Sequence, residues 1–189
     1  MTFSDGIVLF ILLSGLLFSI GRTKLTVPAA LTGALLGWII YAGCGFTGLA
    51  MMTVFFILGT AATSFHATHQ PARTTGQVLA NAGVAAMSSL LILLLGGHEP
   101  HLLVIVAACF ASAAAGMIAA VFAIGHGYNA RIFLIITLAG IFGNWVDSVL
   151  GAVFERKGRL SNNMVNFLNT LAAALFAGLI DALTTTAFG

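Results

Sequence analysis

Residues 140–169 read GIFGNWVDSVLGAVFERKGRLSNNMVNFLN, and the fold turns on how this stretch is understood. Asp147 stands inside an apolar run, the charged cluster Glu155, Arg156, Lys157 and Arg159 follows it, and asparagines open the last hydrophobic segment. A carboxylate at membrane depth costs about 2.5–3.5 kcal/mol on insertion scales, so one that is retained there has a partner or a task. If Arg131 to Val153 is helical, Gly140, Asn144, Asp147 and Gly151 recur at offsets of four, three and four and share one face. Glycines on such a face admit a neighbouring helix, and Asn144 is expected to support the carboxylate. Asn162, Asn166 and Asn169 recur at offsets of four and three, with Asn163 on the adjoining face. Four asparagines in one short window are too costly in hydrocarbon to face acyl chains. Two readings follow: a packing face joined by polar contacts, or a polar site.

Outward from this stretch the composition leaves one fold class. The chain is 60% hydrophobic and 6% charged, with a mean hydropathy of +1.09. It is expected to be all-α, a polytopic integral membrane helix bundle of about seven hydrophobic segments forming a single transmembrane domain over residues 1–189. The first segment lacks a basic leader, so no cleavable signal is expected. A net charge of +2 gives no argument for nucleic acid as a partner. Cys44 and Cys109 lie in separate apolar segments and are expected to be buried free thiols. CxxC, HExxH, Walker and GxSxG motifs are absent, which removes several enzyme classes.

Taken in order, the expected spans are Ser4 to Ile20, Thr26 to Ala42, Thr47 to Ser64, Gly76 to Gly96, Leu102 to Ile124, Arg131 to Val153 and Asn163 to Thr186. Pro28 suits the first turn of the second span, and Gly43-Cys44-Gly45 forms the turn after it. His66 and His69 have a spacing that could bind metal on a helix, but they sit at a boundary where amphipathic rings are simply comfortable. Arg73, Gln77 and Asn81 recur every four residues at the entry to the fourth span, a pattern able to grip a phosphate or to cap a helix. The fifth segment is rich in alanine and carries no carboxylate. Asp181 is expected at an interface near the end of the last helix.

Seven simple crossings would put Arg22, Lys24, Arg73 and Arg131 on one side and Arg156, Lys157 and Arg159 on the other, against the positive-inside bias. If the Ala-rich fifth segment crosses irregularly, only Arg131 stands opposite the other six. That arrangement brings Arg73 and Gln77 to the same side as the turn from Glu155 to Asn163.

Three motifs carry a resemblance: Arg73-Thr74-Thr75-Gly76-Gln77-Val78-Leu79-Ala80-Asn81-Ala82-Gly83-Val84, Gly143-Asn144-Trp145-Val146-Asp147-Ser148-Val149-Leu150-Gly151-Ala152, and Asn162-Asn163-Met164-Val165-Asn166-Phe167-Leu168. With them the chain resembles, along nearly its whole length, the membrane protein family that includes transmembrane protein 19 and the plant and cyanobacterial phytyl-phosphate kinases. The resemblance implies a transferase moving a phosphoryl group from a nucleotide such as CTP onto an isoprenoid monophosphate at the cytosolic face of the cell (inner) membrane, with Mg²⁺. On this reading Asp147 is the catalytic carboxylate and Mg²⁺ ligand. Arg73, Gln77, Asn81, Asn144, Asn163 and Asn166 hold the lipid phosphate. Membrane lipids are the surroundings, and a homo-oligomer stays open. Relatives carry an acidic D-T-x-x-S/T-E-x-G stretch where this chain reads FASAAAGMI over Phe110 to Ile118. The second metal carboxylate is missing with it. A non-catalytic lipid-phosphate binder, a carrier or flippase, and a silent bundle subunit therefore stand beside the kinase reading.

Overall fold

The computed structural model describes residues 2–66, 71–97 and 100–188. The chain folds as α1 Phe3–Gly21, α2 Val27–His66, α3 Thr75–Leu94, α4 Pro100–His126, α5 Ala130–Leu150, a π-helical turn Gly151–Glu155 and α6 Asn162–Phe188. Among the described residues β pairing is confined to one isolated bridge, Leu25 with Arg73. Among the described residues five helices are long and apolar enough to cross a membrane. The all-helical membrane bundle expected from composition is the fold observed.

Two helices, α2 and α4, reverse direction. In α2, Gly45 has φ 63° and ψ −159°, a backbone region open essentially to glycine. The rings of Tyr41 and Phe46 lie 5.3 Å apart across this break. A Cβ on Gly37 would sit 3.6 Å from the Met52 sulfur, whereas a straight helix would separate these residues by about 22 Å. Residues 27–44 and 46–66 are thus antiparallel limbs. They correspond to the second and third expected spans, joined at one glycine instead of a three-residue turn.

The second reversal lies in α4, whose described residues form two apolar pieces, Pro100–Ala111 and Ala115–His126. His101 and Arg131 both reach the carboxylate of Asp181, at 2.6 and 3.1 Å. A Cβ on Gly125 would meet the side chain of Thr47, next to the α2 break. A straight α4 would hold His101 and His126 about 37 Å apart, which these contacts exclude. Both ends of α4 therefore lie at the same end of the bundle, and its middle reaches the depth of Gly140, whose Cβ position is 2.5 Å from the Ala111 carbonyl oxygen and 2.8 Å from the Ala115 Cβ. The long Ala-rich segment enters and returns, as the charge count required.

This re-entrant pair is the core. Val106, Ala107, Ala108, Cys109, Phe110 and Ala111 are fully buried, and Ile118, Ala119 and Phe122 are buried on the returning limb. Backbone that turns at membrane depth is tolerated only where protein covers it, and small side chains let α5 and α6 close around it. Cys44 and Cys109 are buried free thiols, as expected. Asp181 departs from expectation: it is 2% exposed, not interfacial. Packing of α4 and α5 against α6 encloses it, and the Arg131 guanidinium, which also donates to Thr184 and Thr185, supplies the countercharge.

With these two reversals, Arg22, Lys24, Arg73, Arg156, Lys157 and Arg159 gather at one end and Arg131 alone lies at the other, already ion-paired. The positive-inside bias assigns the six-cation end to the cytosol.

Candidate functional site

At the end that gathers six of the seven cations, Arg73 is built into the frame. Its N–H donates to the Lys24 carbonyl at 2.9 Å, its carbonyl accepts from Thr26 at 3.0 Å, and its guanidinium donates to the Gly59 carbonyl at 2.8 Å. This one residue ties the α1–α2 connection and the second limb of α2 to the start of α3. Burial pushes the guanidinium down from its usual range, yet arginine keeps its charge in proteins, so the half-buried cation projects a positive field into the bundle. Arg73 and Asn81 share a small cavity of about 60 Å³ with Met52, Phe55 and Phe56. Gln77 is taken up locally: its Oε1 accepts the Thr74 N–H at 2.8 Å and closes the first turn of α3. The four-residue spacing of Arg73, Gln77 and Asn81 thus serves an anchor, a cap and a cavity lining.

The start of α6 lies against the start of α3. Ser161 opens α6 as its cap, its hydroxyl accepting the Met164 N–H at 3.3 Å. A Cβ on Gly76 would stand 2.8 Å from Asn163 Nδ2, so the asparagine amide reaches α3 only because residue 76 has no side chain. Two helix N-termini, each carrying a partial positive charge, therefore meet at Gly76 and Asn163. From this junction a groove of about 590 Å³ descends between α2, α3 and α6. Its polar mouth is Ser161 and Asn163, and its walls are Leu36, Leu79, Met87, Leu90, Met164 and Phe167. Gly76, Ala80, Gly83 and Ala86 leave it open along α3.

Asp147 sits on the other side of α6. Its Oδ1 accepts Asn169 Nδ2 at 2.6 Å, and Asn169 Oδ1 accepts the Thr170 hydroxyl at 3.1 Å. Asn169 orients the carboxylate, a part the sequence assigned to Asn144. The correction has a structural cause: Ala111 and Ala115 of α4 meet α5 at Gly140, and Asn144 lies a full turn beyond that contact. Asn144 is exposed there, and its carbonyl accepts the Ser148 hydroxyl at 2.9 Å. Asn166 donates to Asn162 at 3.3 Å along the same helix. Among the described residues no three His, Cys, Asp or Glu gather as a metal cluster. His69 and the side chain of His66 lie outside the described residues.

The structure thus brings Asn163 to α3, and Arg73 to Asn81, but it puts Asp147 and Asn169 on a different face of α6 from the α3 cluster. Sequence reasoning passed over Asn169, Ser161 and the Gly83 opening as site positions. Asn169 was readable from its period with Asn162 and Asn166, since a helix turned toward Asp147 presents that face.

Comparison with known proteins is consistent with this architecture. The sequence profile of a family described as integral membrane protein DUF92 matches residues 9–115 and 102–174, two pieces that overlap on the first limb of α4. An uncharacterized membrane protein of Methanocaldococcus jannaschii is 44% identical over 71 residues, which is 35% of this chain and 29% of that protein. The match thus spans less than a third of that relative's length. No solved structure matches. With the profile covering most of its length, the chain belongs to the integral membrane protein family DUF92.

Proposed function

We propose that this protein binds an isoprenoid monophosphate at its cytosolic end, as a reduced relative of the phytyl-phosphate kinases. The observation that carries the reading is the meeting of the α3 and α6 N-termini at Gly76 and Asn163, above an apolar groove and at the end bearing six of the seven cations. The partial positive charge of helix N-termini favours an anion, and Arg156, Lys157 and Arg159 just before Ser161 raise its local concentration. Asn163 and Ser161 donate to phosphate oxygens in this reading, while Arg73 and Asn81 contribute field and polarity from the neighbouring cavity.

Mg²⁺ fits only in part. One oxygen of Asp147 is held by Asn169, leaving a single carboxylate oxygen on a face of α6 turned away from Gly76 and Asn163, so a Mg²⁺ held there would take its other ligands from water and stand apart from the phosphate site. The acidic stretch of the relatives belongs between the two limbs of α4, which meet α5 at Gly140. Without that block the acidic pair of the relatives is missing, and the other carboxylate at this end, Glu155, is turned back toward Gly151, so phosphoryl transfer from CTP or another nucleotide has a reduced carboxylate set to call on. Binding without efficient turnover is the function these residues support. A carrier is a weaker reading: discontinuous helices do build transport sites, but the deep part of α4 presents Cys109, Phe110 and Ala111 packed into the core and no polar ligand among the described residues.

The test is incubation of purified protein with isoprenyl monophosphates, Mg²⁺ and labelled CTP or ATP, scored both for binding and for diphosphate. Phosphate-dependent binding with little product is the expected result. Product abolished by Asp147→Ala would restore the kinase reading, and equal affinity for monophosphates and the parent alcohols would overturn phosphate recognition.

A further inference from the structure

We infer that the groove between α3 and α6 holds the hydrocarbon tail of a single-chain lipid phosphate, and that Gly83 sets how long a tail it accepts. The inference rests on the phosphate site proposed above and adds the tail, its path and the residue that measures it. The groove joins a polar mouth to an apolar interior. Its volume of about 590 Å³ lies within the range of small-molecule pockets, about 300–1,000 Å³.

The occupant follows from the two ends of the groove. At the mouth, Ser161 and Asn163, two helix N-termini and the preceding Arg156, Lys157 and Arg159 ask for a compact anion. Below it, Leu36 and Ile39 of α2 stand on one side and Met164 and Phe167 of α6 on the other, with α3 as the floor. From Gly76 to Leu90 that floor descends about 21 Å at the rise of an α-helix. Such a channel matches one extended chain attached to one anionic head. Charge complementarity at the mouth is the reason to choose a lipid phosphate over bulk bilayer lipid or a second copy of this protein.

Gly83 lies about 10 Å below Gly76 along α3. A Cβ there would meet nothing within 4 Å, and the backbone has no positive φ, so the space it faces is the groove itself. The same is not true higher up, where a Cβ on Gly76 would push on Asn163 and disturb the head. A side chain added at Gly83 therefore obstructs the tail path without touching the phosphate site or the packing.

The experiment measures equilibrium binding of geranyl, farnesyl and geranylgeranyl monophosphate, with the matching alcohols, to detergent-purified wild type, Gly83→Leu and Asn163→Leu. Wild-type affinity is expected to rise along the series. Gly83→Leu is expected to keep geranyl monophosphate within about twofold and to lose about tenfold on geranylgeranyl monophosphate. Asn163→Leu is expected to weaken all three monophosphates alike. Affinity that ignores tail length, or a Gly83→Leu series identical to wild type, overturns the tail assignment while phosphate dependence and the Asn163→Leu loss leave the head site standing. Alcohols that bind as well as monophosphates, with tail dependence and its Gly83→Leu loss intact, uphold the groove and remove the phosphate reading. If Gly83→Leu changes only the oligomeric state, the groove is a helix-docking face between copies and the inference fails. A circular dichroism and gel-filtration check on Gly83→Leu, with Gly83→Ala as the milder variant, separates obstruction from misfolding.

Discussion

Asp147 is held by one hydrogen bond from Asn169 at 2.6 Å, and that bond determines what its substitutions do. Asp147→Asn keeps an acceptor in place and loses only the charge-assisted part of the bond, a loss of about 1 kcal/mol. Asp147→Ala leaves the Asn169 amide without this partner, at about 1–3 kcal/mol. Thermal unfolding in detergent should therefore rank the wild type first, Asp147→Asn close behind and Asp147→Ala last. Monophosphate affinity, set at Gly76 and Asn163 on another face of α6, should stay near the wild-type value in both variants, and that comparison separates the Asp147 contact from the phosphate site. Asp147 stood out in the sequence because a carboxylate in an apolar run has few explanations, and a polar partner is what the structure gives it. Which residue supplies that partner was not legible. Helical period aligns Asn144 with Asp147 on α5, but which polar residue meets that face depends on where the neighbouring helices pack, and period along one helix says nothing about them.

At the scale of elements, the two reversals answer to different chemistry and fail in different ways. The break in α2 depends on Gly45, whose φ of 63° with ψ of −159° excludes a Cβ. Gly45→Ala should cost about 1–3 kcal/mol, read as a lowered midpoint of thermal or denaturant unfolding. The depth of α4 depends on Gly140, because a side chain there would strike the Ala111 carbonyl and the Ala115 methyl at 2.5 and 2.8 Å. Gly140→Val should cost about 1–3 kcal/mol or more through overpacking, whereas Gly33→Ala, 3.9 Å from its nearest neighbour, should change little. A Gly140→Val protein as stable as Gly33→Ala would mean that α4 does not pack against Gly140. The α2 turn could be read in advance from Gly43-Cys44-Gly45. The α4 reversal could not be read from local residues, since the stretch 111–115 is ASAAA with no breaker. It was legible only in the distribution of distant charges.

For the whole molecule, that charge distribution becomes a statement about orientation that labelling can check. Two reversals place Lys24 and Lys157 at the same end, while Tyr128, which is 75% exposed, sits at the other with Arg131. Seven straight crossings would instead put Lys24 with Tyr128 and leave Lys157 opposite. The native Cys44 and Cys109 are buried, so single cysteines introduced at these sites can be read over a low background. In vesicles of known sidedness, a membrane-impermeant maleimide should modify Lys24→Cys and Lys157→Cys from the cytosolic face and Tyr128→Cys from the opposite face. The outcome also decides whether the proposed site is physically coherent. The groove mouth follows directly on the Arg156 to Arg159 cluster, and Arg73 is bonded through its backbone to Lys24 and Thr26. If Lys24 and Lys157 label from opposite faces, the cations that draw the phosphate are divided between two compartments, and a single cytosolic binding site cannot be assembled from them. If they label together, the irregular α4 is what unites them, and the shortened core and the lipid-phosphate site have one common cause.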